Sequence, residues 1–262
     1  MLKNIYTPTS GAIAQERALE IVSNNLANMN TVGFKGDKVT FTLLEPEPFK
    51  NYKSPVPPAN FKVNFKHLEN LHGNDMDYVG VAEVKRDLSQ GPAVQTGNKT
   101  DLMIEGNGYF AIHTDEGTRY TRAGNLSLSP EGALTTKAGY PVLGEKGAVF
   151  LRSGQFEINR SGEIFQDGKL VDRINLFEFK DPSALERVGQ NLMFYGGVPE
   201  GVSKAKSVSI KQGYIEGSNV NPIKNLTAMI TAHRSYEAYQ KAVKFFDSVM
   251  EKSSNTIGTL RV

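Results

Sequence analysis

The feature that most constrains this chain is a three-four seam near its C-terminus: Met229, Ala232, Tyr236, Tyr239, Val243, Phe246, Met250, Ser253, Ile257 and Leu260, of which only Ser253 is polar. Steps of three and four place these side chains on one stripe of a helix, and a seam held for over four heptads has the coiled-coil period. Asn221-Pro222 is a start signal and Gly258 a stop, which predicts a helix of about 36 residues, roughly 54 Å long at 1.5 Å per residue. No compact small domain needs a helix of that length, so burial of its stripe against a partner is expected.

The N-terminus repeats the pattern on a smaller scale. Ala12, Leu19, Val22, Leu26 and Met29 recur at helical spacing, which predicts a helix over about residues 8 to 29, with Thr7 and Pro8 as cap and first turn. The Asn-rich run that follows, through Asn28, Asn30 and Gly33, favours caps and turns and should end it. Residues 101 to 180 instead alternate short apolar runs with turn signals at Asp115 to Gly117, Ser129 to Gly132, Ser161-Gly162 and Asp167-Gly168, the signature of antiparallel β structure. A further strand is expected at residues 173 to 179. Between helix and β region, Pro46, Pro48, Pro55, Pro57 and Pro58 bar regular helix and central strand and predict an extended surface linker. The layout is therefore α+β, with helical ends around a β body.

Composition excludes several classes. The net charge is +2 with acidic and basic residues interspersed, so no single-sign field exists to hold nucleic acid. The absence of cysteine removes disulfides, thiol catalysis and Cys-based zinc sites. The opening residues lack the apolar core of a secretory signal, and no apolar run reaches membrane-spanning length, so neither a cleaved signal peptide nor a membrane span is expected.

Candidate chemistry is thin. Gly106-Asn107-Gly108 through Ala111 matches a relaxed dinucleotide fingerprint, but the following residues read as strand-turn-strand with no helix N-terminus to receive a pyrophosphate. His67, Glu69, His72, Asp75 and Asp77 lie close together, yet their spacing fits no established metal motif and reads as a polar loop. His233 lies beside the C-terminal seam and reads as a helix-flank residue. Arg119, Arg122, Tyr109, Phe110 and Tyr120 interleave bases and aromatics in the manner of single-strand binders, and cross-strand pairing explains them equally well. No catalytic residue, cofactor site or metal site is expected.

Five collinear stretches carry a resemblance to a known family. Residues 23 to 35 (SNNLANMNTVGFK), 90 to 112, 120 to 144, 158 to 179 and 214 to 250 resemble, in order, the N-terminal signature, the central β body and the C-terminal signature of the axial proteins of the bacterial flagellum, the rod, hook and related subunits. Length, the short Pro-rich linker and the opening IYTPTSGAIAQ look more like the proximal than the distal rod members. Lys224-Asn225 stands where many relatives have an acidic pair, and Tyr239 where a small polar residue is common.

The resemblance implies that the N- and C-terminal helices pair into a coiled-coil-like inner domain, with the mainly antiparallel β body inserted between them. The corresponding divisions are 1 to 34, an assembly helix; 35 to 79, a linker; 80 to 214, the β domain; and 215 to 262, the long C-terminal helix. It further implies a structural rod subunit that polymerises helically and partners copies of itself and other rod or hook-basal-body proteins. Export through the flagellar type III apparatus, without a cleaved signal, to the periplasmic rod follows from the same likeness. The assembly interface is then expected at Leu19, Val22, Leu26, Asn24, Asn25, Asn28, Asn30, Gly33, Phe34, Asn219, Asn221, Met229, Tyr236, Tyr239, Val243, Phe246 and Met250. The main rival is a monomeric β-rich binding or adhesion module whose end helices pair within one chain. A hydrolase built on His113 with Asp115 or Glu116 would need a nucleophile that the sequence does not offer.

Overall fold

Long helical ends and a Gly-punctuated centre give two separate sets of contacts. A computed structural model describes residues 3–44, 78–152, 154–189, 191–205 and 207–259. By their contacts these fall into two units: the described parts of Met1–Leu26, Asp37–Lys85 and Pro222–Val262 form one, and Ala27–Gly36 with Arg86–Asn221 the other. The Pro-rich stretch and the cluster from His67 to Asp77 lie outside the described residues.

The first unit contains helix α1 (Lys3–Ala27), a two-stranded sheet of β1 (Asp37–Leu44) and β2 (Tyr78–Arg86), and helix α2 (Pro222–Thr259). Helix α2 begins at Pro222, as the sequence predicts, and continues through Gly258 to Thr259, the last described residue. Helix α1 starts five residues before Pro8, so this proline lies inside it rather than in its first turn. The hydroxyls of Thr9 and Ser10 bond back to the carbonyls of Ile5 and Thr7, at 2.7 and 2.9 Å, across that turn.

The buried face of α1 differs from the expected one. Pro8, Gly11, Ala14, Ala18, Ile21, Val22 and Asn25 are covered, whereas Ala12, Leu19 and Leu26 are only partly so, and Met29 lies exposed beyond the helix end. The covered stripe is offset from the larger side chains and made chiefly of small ones. Its cause is close approach: a β-carbon on Gly11 would sit 2.6 Å from the ring of Tyr239 on α2. Asn25 meets Asn225 of α2 at 3.4 Å, so contacts ascending α1 descend α2 and the helices are antiparallel neighbours.

The second unit carries β3 (Ala93–Gln95), β4 (Leu102–Glu105), β5 (Tyr109–Thr114), β6 (Gly117–Thr121), β7 (Ser127–Leu128), β8 (Leu134–Thr135), β9 (Leu143–Gly144) and β10 (Gly147–Ala148). It continues through β11 (Phe156–Ile158), β12 (Glu163–Gln166), β13 (Lys169–Arg173), β14 (Leu176–Phe179), β15 (Leu185–Gly189), β16 (Leu192–Tyr195), β17 (Val202–Lys204), β18 (Ser209–Gln212) and β19 (Tyr214–Glu216). The largest sheet has the order β15-β16-β6-β5-β14-β17, with antiparallel pairing throughout. Two-residue hairpins account for the dense turn spacing. Between β12 and β13, Asp167 and Gly168 both take positive φ, 52° and 75°, as a tight turn matching strand twist requires.

Strand β5 is covered on both faces. Phe110 and Ile112 enter the main core with Leu102, Ile104, Leu134 and Val149, while Tyr109 faces a second cluster around Phe179, Leu185, Met193 and Tyr195. In that cluster the Phe179 ring lies 5.4 Å from Tyr109 and 4.8 Å from Tyr120 and from Tyr195, edge-on to the first two. The Gly106–Gly108 turn joins β4 to β5 as strand-turn-strand. The fold is thus α+β with a mainly antiparallel β unit.

Candidate functional site: the docked Asn-rich segment and the helical faces

Beyond Ala27 the chain turns on Asn28, whose carbonyl accepts from the Thr31 amide at 3.1 Å. It then enters the β unit as an irregular segment. The Gly33 amide donates to the Glu216 carbonyl at 2.7 Å, and its φ of +68° suits glycine; a β-carbon there would also lie 2.6 Å from the backbone of Arg122 and Ala123. Phe34 is 3% exposed, with the Arg187 guanidinium 4.3 Å above its ring. Arg187 also donates to the Lys35 carbonyl, and the Asn191 amide to that of Val32.

Lys35 is the centre of this docking. Its side chain is 1% exposed, and its amine donates to the Glu216 carboxylate at 2.5 Å and the Ser89 carbonyl at 2.6 Å. The second Glu216 oxygen accepts from Arg122 Nε at 2.9 Å, so one fully buried carboxylate serves two buried cations. The Gly91 amide adds a donor to Glu216, while the carbonyls of Gly106 and Gly108 accept from Arg122. Those carbonyls explain the glycine pair: the turn offers the negative pole of its peptides to a guanidinium. Burial holds the Lys35 amine below the ordinary lysine range, opposed by its bond to Glu216.

Two other asparagines are placed at chain turns. Asn25, 5% exposed, accepts from the Asp37 amide at 2.9 Å and donates to the Asp37 carbonyl at 2.7 Å. Asn219 accepts from the Gly36 amide at 2.8 Å and donates to the carbonyls of Asp87 and Ser89 at 2.7 and 3.1 Å. Asn24, Asn30 and Asn221 are exposed, and Asn28 is half-buried.

On α2 the seam is the covered side. Ala232 is buried and Met229, Tyr236, Tyr239, Val243, Phe246 and Met250 are half-buried, among neighbours mostly exposed. On α1, Val22 is buried while Leu19 and Leu26 flank it. A second apolar stripe escaped the sequence reading: Ile223, Leu226 and Ile230 are 77%, 51% and 48% exposed, followed along the helix by Phe245 at 63% and Val249 at 46%. Their own three-four spacing was the available signal, overshadowed by the longer seam.

The basic-aromatic set is structural: Arg122 is held by Glu216, and Arg119 lies 5.0 Å over Phe194 while pairing with Glu116 at 3.0 Å. His113 is exposed on β5, and His233 lies 3.5 Å from Glu237 on the α2 surface. Among the described residues no three acidic or histidine side chains converge as metal ligands. No described helix is long and apolar enough to cross a membrane.

Comparison with known proteins follows the same segments. A flagella basal body rod protein model matches residues 5–35, a flagellar hook protein FlgE/F/G D1 domain model 103–146, and a flagellar basal body rod FlgEFG protein C-terminal model 211–256. The flagellar basal-body rod protein FlgF of Caulobacter vibrioides is 32% identical, covering 98% of this chain and 97% of its own. The flagellar basal-body rod protein FlgG of the same organism is 30% identical, over 97% and 98%. The flagellar hook-basal body complex protein FlhO of Bacillus subtilis is 28% identical, over 99% and 100%.

The buried ion group sets a clear expectation. Replacing Glu216 with alanine strands Lys35 and Arg122 as buried, unpaired cations and should destabilise the β unit by about 3–5 kcal/mol. Denaturant unfolding followed by aromatic fluorescence measures this loss, and an unchanged midpoint would contradict it.

Proposed function

The chain belongs to the flagellar basal-body rod protein family, and from that premise we propose that it is a structural subunit of the rod, packed between its neighbours by its helical ends rather than acting on a substrate. The observation that carries this reading is the two-sided α2. Tyr239 on its seam lies against Gly11 of α1, and its Ile223, Leu226 and Ile230 face water. A helix apolar on two sides is half-satisfied within one chain, and the second side calls for another helix. A monomeric binding module would leave no such stripe to cover, so the rod reading is favoured.

In this reading α1 and α2 pair in a coiled-coil-like inner domain through the covered face of α1 from Gly11 to Val22, with Leu19 and Leu26 at its flank, and Met229, Tyr236, Tyr239, Val243, Phe246 and Met250 on α2. Asn24, Asn30 and Asn221, with the outer α2 stripe, meet neighbouring subunits. A heterologous contact of this kind, repeated by rotation and rise, yields an open helical assembly of like chains and other rod components. Each apolar side chain buried there contributes about 1.5–3 kcal/mol, multiplied over every subunit. The subunit then acts within the periplasmic rod, reaching it uncleaved through the flagellar type III apparatus, and the N-terminal helix carries the export information.

Two experiments test these points. Ile230→Asp should leave the purified chain folded, by circular dichroism, yet abolish its incorporation into basal bodies and swimming, because a charge in a helical interface costs several kcal/mol. Normal swimming would sink the outer stripe as an interface. Deleting residues 2–26, which spares the docked segment, should leave the protein in the cytosol; periplasmic accumulation at parental levels would refute the export assignment.

A further inference from the structure

A cavity of about 270 Å³ opens in the β unit beside its buried ion group, with Tyr109, Arg122, Glu178, Phe179, Lys180 and Ser203 among its lining residues. Every lining residue falls within Arg86–Asn221, so the cavity belongs to that unit alone.

The buried cation in its wall is Arg122, whose side chain is 4% exposed. Its Nε donates to Glu216 at 2.9 Å, and its Nη1 to the carbonyls of Gly106 and Gly108. Among the described residues Nη2 makes no hydrogen bond, and neither does the hydroxyl of Tyr109, whose ring centre lies 5.6 Å from the guanidinium carbon. Both atoms keep contact with solvent. Since both residues line the cavity, two unused donors meet there.

The balance of charge points to the same place. Lys35 and Arg122 are two buried cations and Glu216 is the one carboxylate buried with them, which leaves one positive charge in excess. Asp87 is only half-buried and exerts the weakest of the pulls on Lys35. On the cavity wall Glu178 and Lys180 offset each other, and Glu178 lies 3.5 Å from the Ser203 hydroxyl. The sign of the site is therefore set by Arg122.

We infer that this cavity is a carboxylate-binding site, in which Arg122 Nη2 and the Tyr109 hydroxyl donate to one carboxylate group carried by a small free acid or by an acidic side chain of another chain. A guanidinium nitrogen holds its two N–H bonds in a fixed plane, which suits a planar carboxylate. Leu88, Phe179 and Pro182 supply an apolar wall, and an ionic hydrogen bond strengthens where water is kept away. The volume lies just below the roughly 300–1,000 Å³ of drug-sized pockets, so the ligand enters with only a few heavy atoms. The site does not depend on the rod reading.

Nuclear magnetic resonance of the full chain, carrying labelled arginine and tyrosine side chains, tests it by titration at constant ionic strength. Propionate and N-acetylglutamate methylamide should shift the Arg122 and Tyr109 signals saturably. Propionamide, of the same shape but uncharged, should bind about tenfold more weakly. Preference for the glutamate derivative assigns the ligand to a protein side chain, and preference for propionate assigns it to a free acid. Lys180→Glu, at an exposed position outside the ion group, should weaken binding severalfold and Glu178→Gln should strengthen it, whereas the distant exposed variant Lys137→Glu should change nothing. Arg122→Lys keeps the charge but removes Nη2 and should abolish binding; where circular dichroism shows that it does not fold, the Lys180 and Glu178 variants decide. The inference is overturned by the absence of a saturable shift with either acid, by equal binding of propionamide, or by Lys180 and Glu178 variants that behave like Lys137→Glu.

Discussion

One buried carboxylate, Glu216, pairs with two buried cations that lie far before it in the sequence. Lys35 lies 181 residues before it and Arg122 94 residues before it, and all three are withdrawn from water. Removing such charges from water is expensive, and the attraction among them offsets that only where every remaining donor finds an acceptor. Here the carbonyls of Ser89, Gly106 and Gly108 accept from three of those donors. An arrangement of this kind adds little net stability over an apolar one, but it tolerates no other register. Its value lies in fixing which stretch of backbone docks, and where.

What it fixes is the segment after α1. With Lys35 anchored, Phe34 is held under Arg187, Gly33 against the Arg122 backbone, and Gly36 within reach of Asn219. The next residue, Asp37, then starts β1 under the hold of Asn25. The asparagines and glycines here organise the chain internally. On the helices, Gly11 of α1 lies against the Tyr239 ring, and Ile223, Leu226 and Ile230 on the other side of α2 are exposed.

The legible parts of the fold are those that depend on near neighbours in sequence. The start of α2 follows from Pro222, its covered seam from three-four spacing, and the β12–β13 turn from Asp167-Gly168. In helix α1 hydrophobicity points to Leu19 and Leu26 while packing covers Gly11, Ala14 and Ala18, and at Gly11 small size makes room for the Tyr239 ring, distant in sequence. The Asn-rich run was legible as a helix stop but not as a docked element, because Lys35 carries no local sign that its partner is Glu216. Nor does the pattern of β19 distinguish a buried glutamate from the exposed one usual on a short strand. Long-range ionic pairing is invisible to periodicity, and the glycine pair at Gly106 and Gly108 resembled an anion loop only until its carbonyls were seen to face a cation.

The central claim is that residues 27–36 belong energetically to the β unit and not to the helix that precedes them. Native-state hydrogen exchange on the intact chain tests it most directly, with the Gly33 amide, bonded to the Glu216 carbonyl, as the probe. The account predicts that this amide opens with the same free energy and denaturant dependence as the core amides of Leu102 and Ile210. Exchange of Gly33 in step with the α1 amides around Ala14, at lower free energy than the β core, would contradict it.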